Sequence, residues 1–503
     1  MPAYLYERIS RRFPSADKVF IETGDGETFT YGDVAEGSAR LANALVGLGV
    51  KPGDRVAVQV EKSPEALLLY LACVRAGAVF LPLNTAYTPA EISYFLSDAG
   101  ASVFVCDPAK REALLPVAEK AGVKHVETLG TKHDGSLAQK GAAASPSFTD
   151  ADRGADDLAA ILYTSGTTGR SKGAMLSHDN LYSNAETLVD YWRFTADDVL
   201  IHALPIYHTH GLFVATNTLL LAGGTMLFLP KLDPAEIMRL MPRATSMMGV
   251  PTFYTRLLQR PDLTREATAH MRLFVSGSAP LLAETHREWS ARTGHAILER
   301  YGMTETNMNT SNPYDGDRVA GTVGFPLPGV SLRVTDPESG KPLDTDEIGM
   351  IEVKGPNVFK GYWNMPEKTA SEFRDGFFIT GDLGKVDGRG YVHIVGRGKD
   401  LVITGGFNVY PKEVEDVIDQ MPGVVESAVI GVPHADFGEG VTAVVVRQKG
   451  ATIDEKAISA ALEEQLAKFK QPKKIIFVDD LPRNTMGKVQ KNVLRETYKA
   501  IYQ

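Results

Sequence analysis

The stretch from Tyr163 to Gly173, with the sequence YTSGTTGRSKG, constrains the chain most strongly. It follows an apolar run from Leu158 to Leu162, and a run of about five apolar residues predicts a buried strand. Glycine lets the backbone turn its N–H groups toward a phosphate at close range, hydroxyls donate as well, and Lys172 adds positive charge. The stretch therefore predicts a phosphate-binding loop at the end of a strand, the alternative being a flexible polar surface loop. Its spacing differs from the Walker pattern G-x-x-x-x-G-K-[ST].

Size and charge limit the function classes. The chain has 503 residues, enough for two to four domains, and 44% of them are hydrophobic, which allows substantial cores. Its formal net charge of −9 is that of an acidic protein and predicts no general nucleic-acid surface. An anionic ligand must therefore meet a local basic site.

Three features predict a cytoplasmic protein that does not enter a membrane. The arginine-containing N-terminus lacks the apolar core of a signal peptide. The long uncharged run from Gly211 to Pro230 contains polar residues and the pair Gly223-Gly224, so it predicts a buried helix, a turn and a strand. Cys73 and Cys106 lie in apolar surroundings without metal-ligand spacing, which is typical of core thiols.

The first part of the chain has the sequence pattern of an α/β fold. Between residues 17 and 130, strand-like runs such as Arg55 to Val60 alternate with helical patterns such as Glu65 to Gly77. This alternation predicts βαβ units and a parallel sheet with helices on both faces. Lys132 to Asp157 has no periodicity and predicts an irregular surface connection. The alternation then continues to about residue 325.

Two further units follow. Short strands separated by glycine and aspartate predict a β-rich subdomain over about residues 326–398, with a boundary near Arg397 to Asp400. The last hundred residues predict a small α/β unit with a helix from Asp454 to Phe469. The expected fold is therefore α/β, with a large N-terminal domain of layered sheets over residues 1–398 and a small mobile C-terminal domain over residues 399–503.

The string S-G-T-T-G-x-x-K-G in the loop resembles the nucleotide loop of the adenylate-forming superfamily, which includes acyl-CoA synthetases, adenylation domains of peptide synthetases and luciferases. Other segments match the superfamily in its order and at similar separations, over about residues 20 to 495. They are GSAP (277–280), YGMTET (301–306), TGDLG (380–384), GRGKD (396–400), GGFNVYPKEVE (405–415) and NTMGKVQK (484–491).

The resemblance implies a binding site for ATP and Mg²⁺. It assigns phosphate contacts to the loop and to Thr304, Mg²⁺ to Glu305, adenine stacking to Tyr301, and ribose contacts to Asp382 and Arg397. Carboxylate oxygen suits both a hard cation and ribose hydroxyls. The remaining nucleotide residues implied are Thr164, Ser165, Gly166, Thr167, Thr168, Gly169, Lys172, Gly302 and Met303.

The resemblance also implies a two-step reaction with CoA as the second substrate. Lys488 matches the catalytic lysine of the mobile C-terminal domain, which stabilises charge on the substrate carboxylate and the α-phosphate of ATP. Lys399 matches the hinge, and flanking glycines make a large backbone rotation there plausible. Gly405 and Gly406 match the segment that lines the pantetheine tunnel.

Arg300 indicates which acid is the substrate. It stands directly before Tyr301, at a position that lines the acyl pocket in relatives and often carries a small residue there. A buried guanidinium needs an anion, which a second substrate carboxylate would provide. The alternative is a structural partner such as Glu299. His208, at the gate of the pocket, and four further residues suggest a short, polar pocket: Thr209, Ser276, Ser278 and Met308.

The segment from Leu298 to Val330 is similar to malonyl-CoA synthetases, which implies malonate as substrate and methylmalonate as a tolerated one. Alternatives are a ligase for another short-chain or aryl acid, and a module that loads a carrier protein. A luciferase-like oxygenase has no support from the sequence. Because Lys488 lies in a basic, exposed tail motif, a protein lysine acetyltransferase is an expected partner, since acetylation would remove its charge.

Overall fold

The computed structural model describes residues 4–164, 171–405, 407–484 and 487–502. In these ranges the chain forms four β-sheets with helices packed around them, which confirms the expected α/β class. The helices are α1 (Tyr4–Ser10), α2 (Tyr31–Gly47), α3 (Pro64–Arg75), α4 (Pro89–Ala99), α5 (Arg111–Lys120), α6 (Ser136–Ala143), α7 (His178–Tyr191), α8 (Thr216–Ala222), α9 (Pro234–Leu240), α10 (Pro251–Leu258), α11 (Ala283–Thr293), α12 (Pro366–Ser371), α13 (Pro411–Asp419), α14 (Glu455–Gln465) and α15 (Lys491–Tyr498).

Most strands are short. The first fifteen are β1 (Val19–Thr23), β2 (Thr28–Thr30), β3 (Arg55–Gln59), β4 (Val79–Pro82), β5 (Val103–Cys106), β6 (His125–Thr128), β7 (Leu158–Thr164), β8 (Lys172–Ser177), β9 (Val199–His202), β10 (Thr225–Phe228), β11 (Ser246–Gly249), β12 (Leu273–Ser276), β13 (Leu298–Met303), β14 (Asn307–Ser311) and β15 (Phe325–Pro326). The others are β16 (Ser331–Thr335), β17 (Gly349–Lys354), β18 (Phe373–Arg374), β19 (Phe377–Val386), β20 (Val392–Arg397), β21 (Val402–Thr404), β22 (Phe407–Val409), β23 (Val424–His434), β24 (Gly438–Arg447) and β25 (Lys474–Val478).

The first large sheet carries the start and end of the predicted phosphate loop. Its strand order is β6-β5-β3-β4-β7-β8, and all neighbours are parallel except β7 and β8. The inner parallel strands β5, β3, β4 and β7 are largely apolar because helices cover both faces, as the βαβ pattern predicts. Thr164 and Lys172 are register partners at the ends of β7 and β8, so the loop leaves and re-enters the sheet at one point.

The second large sheet gathers the carboxyl ends of several strands at one edge. Its order is β15-β14-β13-β12-β11-β9-β10-β1-β2, with parallel pairing from β13 through to β1. The carboxyl ends of parallel strands lie at the same edge, where α/β folds bind ligands. His202 at the end of β9, Ser276 at the end of β12 and Arg300 on β13 therefore come near each other.

The third and fourth sheets follow in chain order. The third contains β16 to β20 and the fourth contains β21 to β25. The apolar clusters of the fourth sheet draw only on residues from Val402 onward, so this unit has its own core. The change of sheet falls between Arg397 and Val402, where the sequence predicts a domain boundary; the boundaries themselves remain a prediction.

Two predicted elements differ from the structure. Lys132 to Asp157 was expected to be irregular, but it contains α6, whose Gly141 packs against Leu41 of α2. Tertiary packing stabilises this short helix despite its weak sequence pattern. The helix expected from Asp454 to Phe469 is shorter, since α14 spans Glu455–Gln465 with Asp454 as its N-cap.

The prediction that both cysteines are core thiols is confirmed. Both cysteines are buried thiols, and burial raises the pKa of Cys106 to about 11. None of the helices in the described ranges is long and apolar enough to cross a membrane.

A buried ion pair joins the second sheet at the start of β9 and β12. Arg272 donates from Nε and Nη2 to the two carboxylate oxygens of Asp198 at 2.7 and 2.8 Å. Burial alone raises the pKa of Asp198, but hydrogen bonds from Arg272 and Thr245 outweigh it and hold this pKa below its ordinary value. Arg272 thus provides the counter-charge of a carboxylate that is only 4% exposed.

Arg272→Met should lower the free energy of unfolding by about 3 kcal/mol, because it leaves the Asp198 carboxylate buried without a counter-charge. Chemical denaturation followed by tryptophan fluorescence measures the change. The double variant Asp198→Asn/Arg272→Met is the control and should recover part of the loss. Equal stability of Arg272→Met and the wild type would contradict this interpretation.

Candidate active site

Three residues of the predicted nucleotide motifs meet through hydrogen bonds. The Tyr301 hydroxyl donates to Oδ2 of Asp382 at 2.6 Å, and Nε of Arg397 lies 3.0 Å from Oδ1 of the same carboxylate. Asp382 and Arg397 are register partners on β19 and β20, whereas Tyr301 belongs to β13 of another sheet. The motifs, which are distant in sequence, therefore form one polar cluster around a single acceptor.

A second cluster surrounds Glu305. The Tyr362 hydroxyl donates to Oε1 of Glu305 at 3.0 Å, and Nζ of Lys172 lies 4.2 Å from the centre of the Tyr362 ring. Burial raises the pKa of Glu305 and lowers that of Lys172. Tyr362 was not predicted from the sequence, since nothing local links it to a partner 57 positions away.

Glu305 suits Mg²⁺ that arrives with nucleotide phosphates. Magnesium is bound through one or two carboxylates plus substrate phosphates, and not by a full protein cage. The described residues contain no group of three or more acidic, histidine or cysteine side chains around a common point. A single carboxylate, held by Tyr362 and close to the phosphate-loop lysine, fits that mode. Thr304 lies in the turn directly before Glu305.

The phosphate loop is described only at its ends. Thr164 and Lys172 lie at the strand termini. The other predicted loop residues lie outside the described part of the chain, as does Gly406: Ser165, Gly166, Thr167, Thr168 and Gly169.

Lys488 lies between the nucleotide motifs and the predicted acyl pocket. Burial, and then the positive charge of Arg397, lowers its pKa to about 8, while Asp382 and Glu305 act in the opposite direction and Arg300 lowers it further. Its side chain still reaches solvent, although protein surrounds it on several sides. Lys488 thus interacts with charged residues of both predicted subsites.

Arg300 is a buried cation without an anionic partner. It is 3% exposed, its Nε and Nη2 make no hydrogen bond, and no described carboxylate forms an ion pair with it. Burial lowers its pKa to about 9. A side chain at Gly277 would lie 2.4 Å from the guanidinium carbon, so the arginine lies directly across this glycine.

The alternative partner Glu299 is excluded by the strand geometry. Consecutive side chains of a strand point to opposite faces. Oε1 of Glu299 accepts a hydrogen bond from the Gly321 N–H at 3.2 Å, and burial raises its pKa to about 8. The interpretation of Glu299 as the counter-charge of Arg300 is therefore wrong.

Other predicted pocket residues resemble Arg300 in having buried polar atoms without a hydrogen-bond partner. Buried polar atoms without a hydrogen-bond partner are rare in folded proteins and call for an explanation. Here four such atoms come from two short segments: Nε2 of His208, Oγ1 of Thr209, Nε2 of His210 and Oγ of Ser276. These atoms and the Arg300 guanidinium are suited to contact a polar ligand.

His210 lies beside these residues but was not predicted from the sequence. Its Nδ1 lies 3.3 Å from Oγ of Ser278, which adopts a strained φ of 70°. Burial, followed by the charge of Arg300, lowers the pKa of His210 well below its ordinary value. The second histidine of YHTHG was the available signal, but only His208 was singled out. Burial and then Lys488 lower the pKa of His208 to about 3, so both imidazoles are neutral.

Met308 of β14 is the register partner of Gly302 on β13. It is 2% exposed, and its methyl group lies 2.5 Å from where a side chain at Gly302 would begin. Gly302 therefore allows β13 to approach Met308 closely, which sets the position of the neighbouring Tyr301.

A cavity of about 520 Å³ lies next to the His208 segment, between the two large sheets and the C-terminal unit. Its walls include Pro205, Tyr207 and Thr252 from the N-terminal part, and Asn484 and Gly487 from the C-terminal part. Gly405 does not line it and lies beside Phe437, in a turn that follows β21 of the fourth sheet. Lys399 lies in a single helical turn, Gly398–Asp400, that connects the third and fourth sheets.

Lys488 should titrate near pH 8, well below an ordinary lysine, because it is partly desolvated and faces Arg397. Competitive labelling with acetic anhydride at a series of pH values, read by peptide mass spectrometry, measures its pKa. Arg397→Gln should raise that pKa, since it removes the nearest positive charge. A wild-type value near 10.5, the ordinary pKa of a lysine side chain, would contradict the described environment.

Comparison with known proteins agrees with this geometry. Residues 6–363 match the AMP-binding enzyme family and residues 413–488 match the AMP-binding enzyme C-terminal domain. A feruloyl-CoA synthase from an Amycolatopsis species is 37% identical, with 94% of each chain covered. A malonate–CoA ligase from Arabidopsis thaliana is 34% identical, with 96% of this chain and 86% of the relative covered.

Solved structures resemble the whole chain. ATP-bound MatB from Rhodopseudomonas palustris is 72% identical over the full length of both chains, with a TM-score of 0.98. The apo form of the same protein has the same identity and coverage, and its TM-score is 0.87. The described arrangement is thus closer to the ATP-bound structure. The resemblance predicted from the motifs is confirmed, and the chain belongs to the AMP-binding enzyme family.

Proposed function

We propose that this protein is an AMP-forming malonate–CoA ligase. It joins malonate to CoA at the expense of ATP, through malonyl-adenylate, and releases AMP and diphosphate; methylmalonate is a tolerated substrate. The observation that carries this proposal is the buried Arg300 guanidinium without an anionic partner, surrounded by polar atoms that also lack partners. The relatives named as a malonate–CoA ligase and as MatB support it.

A dicarboxylate satisfies this pocket, and a monocarboxylate does not. An unpaired buried charge is costly, so the pocket favours a ligand that brings a negative charge to Arg300. The distal carboxylate of malonate can accept two parallel hydrogen bonds from Nε and Nη2 of the guanidinium. Ser276, Thr209 and neutral His210 can donate to remaining oxygens. An acetate methyl group or an aromatic ring would leave all of these groups unpartnered.

In the first step, an oxygen of the reacting carboxylate attacks the α-phosphorus of ATP. This oxygen forms a bond to the α-phosphorus, and the bond between the α-phosphorus and diphosphate breaks. The product is malonyl-adenylate. Negative charge grows on the phosphate oxygens, so positioning and electrostatic stabilisation carry the catalysis. We assign this stabilisation to Lys488, which lies between both subsites. Asp382 and Arg397 hold the ribose, and Tyr301 with Gly302 and Met303 holds the adenine.

The phosphates are held by the loop from Thr164 to Lys172 and by Thr304. Glu305 would hold Mg²⁺, which supplies positive charge to the departing diphosphate. Tyr362 fixes the orientation of the Glu305 carboxylate by its hydrogen bond, and its ring face holds the Lys172 ammonium by a cation–π contact. These side chains thus prepare the phosphate side of the site before ATP binds.

In the second step, the sulfur of CoA attacks the adenylate carbonyl, the carbon–oxygen bond to AMP breaks, and the thiol proton is released. We propose that rotation about Lys399 moves Lys488 away and brings Gly405 and Gly406 to the pantetheine arm. The 520 Å³ cavity is lined by Tyr207, which precedes His208 in the chain, and we propose that it offers the thiol a path toward the acyl pocket. The boundary at residues 398 and 399 then separates the two moving domains.

The nearest alternative is a ligase for another short-chain acid or an aryl acid, which the feruloyl-CoA synthase relative favours. The buried polar atoms of the pocket argue against an aryl ring. A carrier-protein-loading enzyme is a further alternative, which release of free acyl-CoA in the absence of a carrier protein would exclude. The cytoplasmic location stays a prediction from the sequence.

Malonate should be preferred over acetate, succinate and an aryl acid in an AMP-release assay with CoA, and methylmalonate should also react. Arg300→Ala should lower kcat/KM for malonate about 100-fold or more, the size expected for a lost buried charge pair. Its weak activity with acetate should change little, because acetate has no group for Arg300 to bind.

Two control variants sharpen the test. Arg300→Lys keeps the charge but not the two parallel donors, so its loss should be intermediate. Glu299→Gln keeps the hydrogen bond to Gly321 on the other face of the strand and should leave the order of acids unchanged. Wild-type preference for acetate or an aryl acid would contradict the proposal, and an equal loss with every acid would make Arg300 structural.

Acetylation of Lys488 by a protein lysine acetyltransferase should switch adenylation off, since it removes the charge that the first step uses. Site-specific incorporation of acetyl-lysine at position 488, followed by pyrophosphate exchange into ATP, measures the effect, and acetyl-lysine at the exposed position of Lys51 is the comparison. The residual rate should be below about one hundredth of the unmodified rate, in line with loss of one electrostatic contact. An unchanged exchange rate would refute this regulation.

A further inference from the structure

The wall of the large cavity contains a lysine that no proposed step uses. Lys62 lies three residues after β3 of the first large sheet, and its ammonium contacts the ends of β9 and β10 in the second. We infer that Lys62 and His202 are a positioning pair, which holds the acid-binding segment His208 to His210 in place against Arg300. The inference rests on the proposed use of malonate at that segment.

The ammonium of Lys62 is surrounded by acceptors. Nζ donates to the carbonyls of His202 and Leu229 at 2.8 and 2.6 Å, and lies 2.9 Å from Nδ1 of His202. The ring of Phe228 adds a cation–π contact at 4.2 Å. Burial lowers the pKa of Lys62 well below its ordinary value. Three acceptors match the three protons of an ammonium, and this match opposes the loss of a proton.

The partners of His202 settle its tautomer. Its Nε2 lies 2.8 Å from the Gly211 carbonyl oxygen, which only accepts, so Nε2 carries the proton. Nδ1 is then the acceptor that faces Lys62. Every contact in the chain Lys62, His202 and Gly211 is favourable in this one assignment of protons. His202 is neutral, as its burial also requires.

Gly211 connects this chain to the acid pocket. It belongs to a π-helical turn, His210–Ala215, a rare conformation that is frequent at functional sites. A side chain at Gly211 would lie 2.2 Å from the Pro205 carbonyl oxygen, so the segment from Pro205 to Gly211 is tightly folded on itself. Fixing the Gly211 carbonyl therefore also fixes the adjoining His210, whose Nδ1 faces Ser278.

The pair should matter for the acid and not for the nucleotide. The segment contributes unpartnered atoms of His208, Thr209 and His210 to the acid pocket, whereas none of the described contacts of Lys62 or His202 reaches Tyr301, Asp382 or Arg397. Loss of the pair should loosen the segment and weaken malonate binding, while ATP binding remains. This separation distinguishes positioning from general structural support.

The test uses full-length protein in malonate-dependent pyrophosphate exchange without CoA. Lys62→Met and His202→Phe should each raise the half-saturating malonate concentration at least tenfold and change that of ATP less than twofold. The double variant should be no worse than either single one, since both break the same chain. His202→Gln should stay near wild type, because its amide can donate to Gly211 and accept from Lys62. Lys18→Met, which removes another lysine that donates to a backbone carbonyl, is the control.

The inference is overturned if the half-saturating concentrations of malonate and ATP rise by the same factor, or if neither of them rises. It is also overturned if His202→Gln is as impaired as His202→Phe. Should the Lys62 variant not fold, ¹⁵N NMR of histidine-labelled wild type decides. His202, assigned by comparison with His202→Gln, should be neutral with its proton on Nε2 between pH 6 and 8, and a proton on Nδ1 would overturn the pair. If wild type adenylates another acid best, the proposed function fails, and the same comparison is made with that acid.

Discussion

The site depends on one electrostatic imbalance, the burial of the Arg300 guanidinium without a protein anion. The nearest candidate in sequence, Glu299, lies on the other face of β13 and bonds to Gly321. A folded chain tolerates such a charge at a cost, and the cost is recovered when a ligand brings the missing anion. Substrate choice and pocket polarity then share one cause, since the neighbouring atoms of Ser276, Thr209 and His210 also lack partners.

The fold places Arg300 in the acid pocket by bringing the ends of several strands together. Parallel pairing of β9, β11, β12 and β13 places their carboxyl ends at one edge, with the acid pocket there. The third sheet adds Asp382 and Arg397, and the C-terminal unit adds Lys488. In the proposed mechanism, the residues that bind the nucleotide, those that bind the acid and the catalytic lysine therefore come from separate parts of the fold. A domain movement can change one of them without disturbing the other two.

The sequence predicted what is local and periodic. The strand before the predicted phosphate loop and most α/β elements were predicted from short patterns. Tyr301, Asp382 and Arg397 were singled out by the resemblance, and the structure places them together. The short helix α6 was missed because packing against α2 stabilises it, not its own periodicity. Tyr362, His210 and the Lys62–His202 pair were missed because their roles arise from contacts between distant segments. The partner of Arg300 stayed open until the strand faces were known.

The most direct test of this account is a crystal structure with a non-reactive analogue of malonyl-adenylate. We expect the distal carboxylate within hydrogen-bond distance of Nε and Nη2 of Arg300, with Ser276 or His210 on its remaining oxygens. Lys488 should lie beside the phosphate. A distal carboxylate that points away from Arg300, toward solvent or the large cavity, would contradict the claim that this buried charge selects the acid.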